Sequence, residues 1–281
     1  MSIENEFWKR QDVQFHTTFS DGKDGIEEMI QSAINSGVRS LIITDHACGW
    51  QNSDGSLDEF FNSSDEYQKY LSLIDFMKKK YANEIKLFSG LEIEVGINGE
   101  FKLADGIRST STVSSETKFG VDIILGAIHS ESFEEDCIKF GIAQNDRRSI
   151  LIQNMIAVVK NKLVDVFAHP FQAIHGQFSD NLMQDESKAV LNALLKEWAS
   201  GHQIYFEING KKWPSYEQWA YNKYESGEME TNDKVFLKFY KDHGGQFVFG
   251  SDAHSTTGFD RTDFSIADSL ELTEDDQHVF V

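Results

Sequence analysis

Cysteine is nearly absent from this sequence: Cys48 and Cys137 are the only two in 281 residues. They stand far apart and form no Cys-x-x-Cys pair, which excludes a disulfide scaffold and a thiolate zinc site and makes a reduced setting the default. Positive charge is scarce as well. The chain has 26 Lys and Arg against 46 Asp and Glu, a formal net charge of −20. Such a surface repels phosphate backbones, and no dense Lys/Arg stretch reverses the field, so a long nucleic-acid partner is not expected. Long apolar runs are missing too. No segment approaches a membrane span, and the N-terminal MSIENEFWKRQ lacks the apolar core of a secretion signal. The expectation is a soluble, cytoplasmic protein without a membrane partner, in which the 40% of apolar residues build a substantial core.

Short apolar runs recur along the chain, separated by longer polar or helix-patterned stretches. Seven read as strands: Val13–His16, Ser40–His46, Lys86–Val95, Val121–His129, Leu163–His169, Ile204–Asn209 and Phe247–His254. Their middles are rich in Ile, Val, Leu and Phe with little polar alternation, as expected of strands covered on both faces. The clearest helix is Gly25–Ser36, where Ile26, Met29, Ile30, Ala33 and Ile34 form one stripe and Gly37 can end the helix. Others are expected over Asp65–Tyr81, Arg148–Asn161, Glu186–Ser200 and Asn232–His243, while 103–120 reads as an irregular loop or a polar hairpin. Strand–helix alternation over residues 1–281 predicts one α/β domain with a parallel sheet, although pattern alone also permits two doubly wound domains.

The strongest signal is where ionisable residues fall. Six of the seven runs end, or nearly end, in metal-binding types: His16, His46, Glu92, His129, His169, and the pair Asp252 and His254; the remaining run carries Glu207. In a parallel barrel the C-terminal strand ends converge on one mouth, where functional groups gather. A single histidine at a strand end is more often a hydrogen-bonded structural residue. Agreement among six strands is what points to a metal site. Side chains alternate along a strand, so Gln14 should point with His16, Asp252 with His254, and Glu94 with Glu92, leaving Glu94 a further possible ligand. Asp45 should face away from His46, as a supporting or helix-capping residue.

These residues stand in recognisable words: Phe15-His16-Thr17-Thr18-Phe19-Ser20-Asp21-Gly22, Thr44-Asp45-His46, Gly90-Leu91-Glu92, Gly126-Ala127-Ile128-His129-Ser130, Ala168-His169-Pro170 and Gly250-Ser251-Asp252-Ala253-His254. In this order, across about residues 12–256, they closely resemble the motifs of the polymerase and histidinol phosphatase (PHP) family. The resemblance implies a distorted seven-stranded, TIM-like β/α barrel, two or three divalent ions of zinc, manganese or iron, and phosphoesterase activity. It implies that Glu92 bridges two ions, one also held by His16 and Asp252 and the other by His129 and His169. A third ion would take His46, His254 and Asp21. One departure stands out. The family usually opens with His-x-His, and here Gln14 replaces the first histidine; its carbonyl oxygen is a weaker, neutral donor, which fits a looser site or a harder ion such as manganese.

A phosphomonoester dianion is among the slowest substrates to hydrolyse unaided. Ions roughly 3.5–4 Å apart can clamp the phosphoryl oxygens and generate a hydroxide that attacks in line, with Glu92 fixing their spacing and Asp252 beside it. A small phosphorylated substrate is therefore expected. The candidate proton donor for the leaving group is His175, in the loop after the fifth strand; Lys211 and Lys212, or Arg147 and Arg148, are candidate phosphate contacts. Trp50 and Trp213 could stack on substrate or simply pack, and Cys48, with no base nearby, reads as structural. Three alternatives compete: a phosphodiesterase or nucleotide hydrolase, a catalytically weak metal-binding relative with a regulatory role, and a metal-dependent amide hydrolase. No strand ends in the ligand lysine that the last often carries.

Overall fold

The apolar runs pair in parallel into one curled sheet. The computed structural model describes residues 7–51, 57–178, 184–210, 232–259, 267 and 270–281. In chain order the elements begin with α1 (Ile26–Asn35), β1 (Ser40–Ile43), the short antiparallel pair β2 (Trp50–Gln51) and β3 (Leu57–Asp58), and α2 (Ser64–Lys80). Next come β4 (Lys86–Val95), β5 (Phe101–Lys102), α3 (Asp105–Ser109), β6 (Ile123–Ala127), α4 (Ser130–Lys139) and α5 (Gln144–Lys160). The series ends with β7 (Val166–Phe167), α6 (Gln172–Gln177), α7 (Gln184–Ala199), β8 (Tyr205–Asn209), α8 (Asn232–Asp242) and β9 (Phe247–Gly250). The sheet order is β1-β4-β6-β7-β8-β9, parallel throughout, with β5 antiparallel beside the end of β4.

Residues 12–16 close the ring. On one side Asp12 donates to Ser40 O (2.9 Å) and accepts from Ile42 (2.9 Å); on the other Val13 donates to Phe249 O (2.9 Å) and His16 to Ala253 O (2.9 Å). The result is a distorted seven-stranded β/α barrel. The closing segment is not a regular strand, as its sequence suggests, but two isolated bridges at Asp12 and Phe15. The Asp12 carboxylate explains this: it accepts from the backbone of Gln14 (3.2 Å) and Ser251 (2.9 Å), taking places that a ladder would fill.

Alternation sorts the strand residues into two cores. Val13, Ile42, Ile123, Leu125, Ala127, Val166, Ala168, Tyr205 and Val248 fill the barrel interior, with Phe280 packed against them from the C-terminal tail. Residues of opposite parity, such as Leu41, Ile43, Ile124, Phe167, Phe206 and Phe249, join the helices in the outer core. There α1 buries Ile26, Met29, Ile30 and Ala33, and α2 buries Tyr67, Tyr70, Ile74 and Met77. Helix α2 is well specified locally: Ser63 caps Glu66 N, Asp65 and Glu66 lie in the first turn, and Lys78, Lys79 and Lys80 in the last, each sign matching the helix dipole.

Three further stretches differ from what the sequence predicts. The 103–120 segment is neither hairpin nor wholly irregular: it holds α3 and a 3-10 turn at Ser115–Gly120, entered through a Ser114/Thr117 capping box. Residues 130–139, where the sequence predicts no helix, form α4, anchored by Phe133 and Cys137 one turn apart, and the stretch after the fifth strand that carries His175, expected as loop, forms the short helix α6. No helix among the described residues is long and apolar enough to cross a membrane.

Candidate metal centre

At the C-terminal mouth the strand ends bring eight acidic and imidazole side chains to one point. Glu92, from the middle of β4, lies at the centre and is 1% exposed. Its Oε2 is 3.2 Å from His16 Nε2 and 3.5 Å from His46 Nδ1; its Oε1 is 2.8 Å from His169 Nε2 and 3.3 Å from His129 Nε2. Asp252 Oδ1 lies 3.2 Å from His16 Nε2, and Asp21 Oδ2 lies 3.0 Å from His254 Nε2. The His16 ring is sandwiched between His46 and His254, with centroids 4.3 Å away on each side. Two groups offer donor atoms all within 4.8 Å of one another: His16, Asp21, His46 and His254, and then His46, Glu92 and His129.

Backbone geometry aims these groups. His169 follows inward-facing Ala168 and by alternation would face the helices, but a positive φ of 28° turns it to the centre; Asp252 has a φ of 51°. Non-glycine residues in this region are strained, and such strain clusters at functional sites. Asp21 arrives on the loop after His16. Asp45 folds that loop, accepting from Thr17 N (2.7 Å), Thr17 Oγ1 (2.9 Å) and Ser20 Oγ (2.6 Å). Gly22 lets it turn back tightly, since a Cβ there would lie 2.5 Å from His16 O.

The electrostatics follow from packing charges in a dry cluster. Burial works against the charge of His16, but Asp252 and Glu92 outweigh it and push its pKa up to about 10. His46, stacked on it, is pushed down to about 3, by burial first and then by the charge on His16, against the pull of Glu92. Burial also opposes ionisation of Glu92, yet the surrounding histidines, His46 foremost, hold it well below the usual carboxylate range. Asp21 is depressed likewise: burial is opposed by His254, His16 and His46.

The cluster fits divalent cations. His16 is wholly buried; its Nδ1 makes no hydrogen bond, and its Nε2 has only the ion-pair contacts with Glu92 and Asp252 at 3.2 Å, while Asp21 Oδ1 and His169 Nδ1 are buried without a hydrogen bond too. Buried polar atoms left in this state cost about 1–3 kcal/mol each, unless an ion completes them. Mixed imidazole and carboxylate donors suit zinc, iron or manganese rather than an all-oxygen calcium site.

Behind the donors lies a polar shell that the sequence only hinted at. Glu94 sits against His129, with Oε2 2.5 Å from Nδ1, and so orients that ring. Gln14 Nε2 donates to Glu92 Oε2 (2.8 Å), and Gln14 Oε1 accepts from Asn209 Nδ2 (3.3 Å). Glu207 Oε2 accepts from His169 N (2.7 Å); burial, opposed by that bond, raises its pKa well above the carboxylate range. Glu207 and Asn209 share the inward face of β8, a spacing of two visible in Phe206-Glu207-Ile208-Asn209. Burial, reinforced by Glu94, pushes the Cys48 thiol up to about 12, in keeping with a structural role.

Arg147 and Arg148 lie on α5, and each meets a carboxylate: Arg147 pairs with Glu134, and Arg148 with Glu186 at 2.6 Å. The side chains of His175, on α6, and Trp50, on β2, lie outside the described residues, as do Lys211, Lys212 and Trp213.

Comparison with known proteins agrees with this geometry. The PHP domain model matches residues 12–211, well over half of the chain. The DNA polymerase/3'-5' exonuclease PolX of Bacillus subtilis (strain 168) is 24% identical over 166 residues, 59% of this chain but only 24% of that polymerase's length. A structure from Listeria monocytogenes assigned as the histidinol phosphatase HisK superposes with a TM-score of 0.62 at 16% identity, covering 88% of this chain and 96% of that one. Histidinol phosphate phosphatase from Lactococcus lactis subsp. lactis, solved with zinc, L-histidinol and phosphate, gives a TM-score of 0.58 at 18% identity, covering 93% and 92%. Motif order, barrel, buried donor cluster and family match converge, and the chain belongs to the PHP domain family.

Proposed function

We propose that this chain hydrolyses small phosphomonoesters at the barrel mouth, using two or three zinc, manganese or iron ions. The observation that carries the reading is the convergence of His16, His46, His129, His169 and His254 on Glu92, Asp21 and Asp252, with buried donor atoms left without hydrogen bonds. Glu92 presents one oxygen to His129 and His169 and the other to His16 and His46, so it is placed to be shared between two ions. Asp252 would complete the His16 side, and Asp21, His46 and His254 would hold a third ion. Bound there, the ions would neutralise phosphoryl charge and acidify water.

The chain's own residues do the rest. Asp21, Glu92 and Asp252 repel an anion by themselves, so substrate binding depends on a loaded centre. Glu94 fixes the His129 ring, and Asp45 fixes the loop that carries Asp21. His175 is the proposed donor of a proton to the leaving group, and Lys211 and Lys212 the proposed phosphate contacts. A phosphodiester substrate is the second reading, favoured by the Bacillus subtilis relative, whose name includes a 3'-5' exonuclease.

The test is elemental analysis of the purified protein, with hydrolysis of p-nitrophenyl phosphate and bis(p-nitrophenyl) phosphate followed before and after chelation and metal add-back. Two or three ions per chain and chelator-sensitive release from the monoester are expected. Preferential cleavage of the diester would select the second reading. A protein that takes up no metal and cleaves neither would be a non-catalytic relative.

A further inference from the structure

We propose that Gln14 is a positioning residue rather than a metal donor: its amide ties Asn209 to Glu92 and holds Glu92 in place between its histidines. The proposal rests on the reading of the mouth as a metal centre and assigns the role of the residue that departs from the family pattern.

Both ends of the buried Gln14 amide are engaged, Nε2 with Glu92 Oε2 at 2.8 Å and Oε1 with Asn209 Nδ2 at 3.3 Å. The direction of these bonds is fixed from outside. An ionised carboxylate only accepts, so the amide nitrogen faces Glu92. Asn209 Nδ2 lies among three acceptors: Gln14 Oε1, Glu207 Oε2 at 3.3 Å and Asp252 Oδ2 at 3.5 Å, so its nitrogen is fixed as well. The bonds therefore run one way, from Asn209 to Gln14 to Glu92. Turning the Gln14 oxygen toward an ion beside Glu92 would set oxygen against oxygen at Glu92 and N–H against N–H at Asn209.

The Gln14 stem packs against the backbone of β9. It lies on Gly250, where an added Cβ would come within 2.9 Å of Gln14 Cβ and 1.9 Å of Glu207 Oε1. The donors left beside His16 Nε2 are then Glu92 and Asp252, and the amide acts from behind them. In this place a neutral hydrogen-bond donor does for Glu92 what Glu94 does for His129.

The experiment uses the full chain, stripped by chelation and titrated with manganese by calorimetry, and the cobalt-loaded protein read by visible absorption. Gln14→Met, close in size but without a donor, and Asn209→Ala, at the half-buried end of the row, are compared with wild type. Positioning predicts that both variants weaken manganese binding in the same direction, by about tenfold or more. The double variant should be no weaker than Gln14→Met alone. The cobalt absorption bands of Gln14→Met should match those of wild type, because the ligand set is unchanged. If Gln14→Met does not fold, Asn209→Ala still decides: unchanged or tighter manganese binding overturns the proposal. Shifted cobalt bands in Gln14→Met would make Gln14 a donor and overturn it too. A wild-type chain that binds neither metal would sink the metal-centre reading itself, and this proposal with it.

Discussion

Glu92 is the residue on which the centre turns, because each of its oxygens faces two histidines. Glu92→Gln keeps the shape and removes the charge. It should reduce metal retention by at least one ion per chain, read by elemental analysis, and lower phosphoesterase turnover by about 10²–10³-fold, the range of a lost electrostatic contact in a dry site. Full retention with normal turnover would show that Glu92 is not shared between ions. Residues of this kind were legible because each ends an apolar run: His16, His46, His129, His169 and Asp252 declare themselves by position. Gln14 could be seen as unusual but not understood. Its partner Asn209 lies 195 residues away in sequence, and the direction of its amide depends on carboxylates that only the folded barrel sets beside it.

At the scale of elements, the closeness of β8 and β9 leaves no room for a side chain at Gly250, where a Cβ would stand 1.9 Å from Glu207 Oε1. That carboxylate cannot swing freely, since its other oxygen accepts from His169 N. Gly250→Ala should therefore destabilise the chain by about 1–3 kcal/mol, the usual range for overpacking, in chemical denaturation. Glu207→Ala in the same background should recover part of the loss; no recovery would place the strain elsewhere. The loop that carries Asp21 gives a second prediction. Asp45→Ala leaves Thr17 and Ser20 without their buried acceptor, which should cost about 3 kcal/mol and lower metal content by the third ion proposed for Asp21, His46 and His254. Intact metal content in that variant would separate the loop from the third ion. Elements with a full apolar stripe, such as α1 and α2, could be read from the sequence to within a residue or two. Helix α4 could not. Of its apolar residues it buries only Phe133 and Cys137 and exposes Ile138, and it buries the charged Asp136 beside them, so its pattern carries little period. The closing segment at 12–16 was legible in position but not in form, because an aspartate side chain replaces part of its ladder.

For the molecule as a whole, metal, protons and stability are linked through the cluster. The chain carries a formal charge of −20, and part of its acidity is concentrated at Asp21, Glu92 and Asp252. In the metal-free protein the proton on His16 offsets some of that charge, because its pKa is raised to about 10. The unfolded value is about 6.5, so the stability contributed by this proton is fully present below about 6.5 and is lost as the pH rises through about 10. A metal donor must be neutral imidazole, so an ion bound by His16, as proposed, would expel the same proton. Raising the pH therefore weakens the stripped protein and strengthens metal binding together. One released proton gives about tenfold in affinity per pH unit, or about 1.4 kcal/mol. For a chain of this size that is about 3 °C in Tm per pH unit. The difference in Tm between manganese-saturated and chelated protein should widen by about 6 °C over the two pH units from about pH 6.5 to about pH 8.5 at fixed free manganese. Calorimetry of manganese binding in buffers of different ionisation heat should count about one proton released. A constant gap with no proton release would mean that His16 is already neutral before metal arrives, and that Asp252 and Glu92 do not hold its charge.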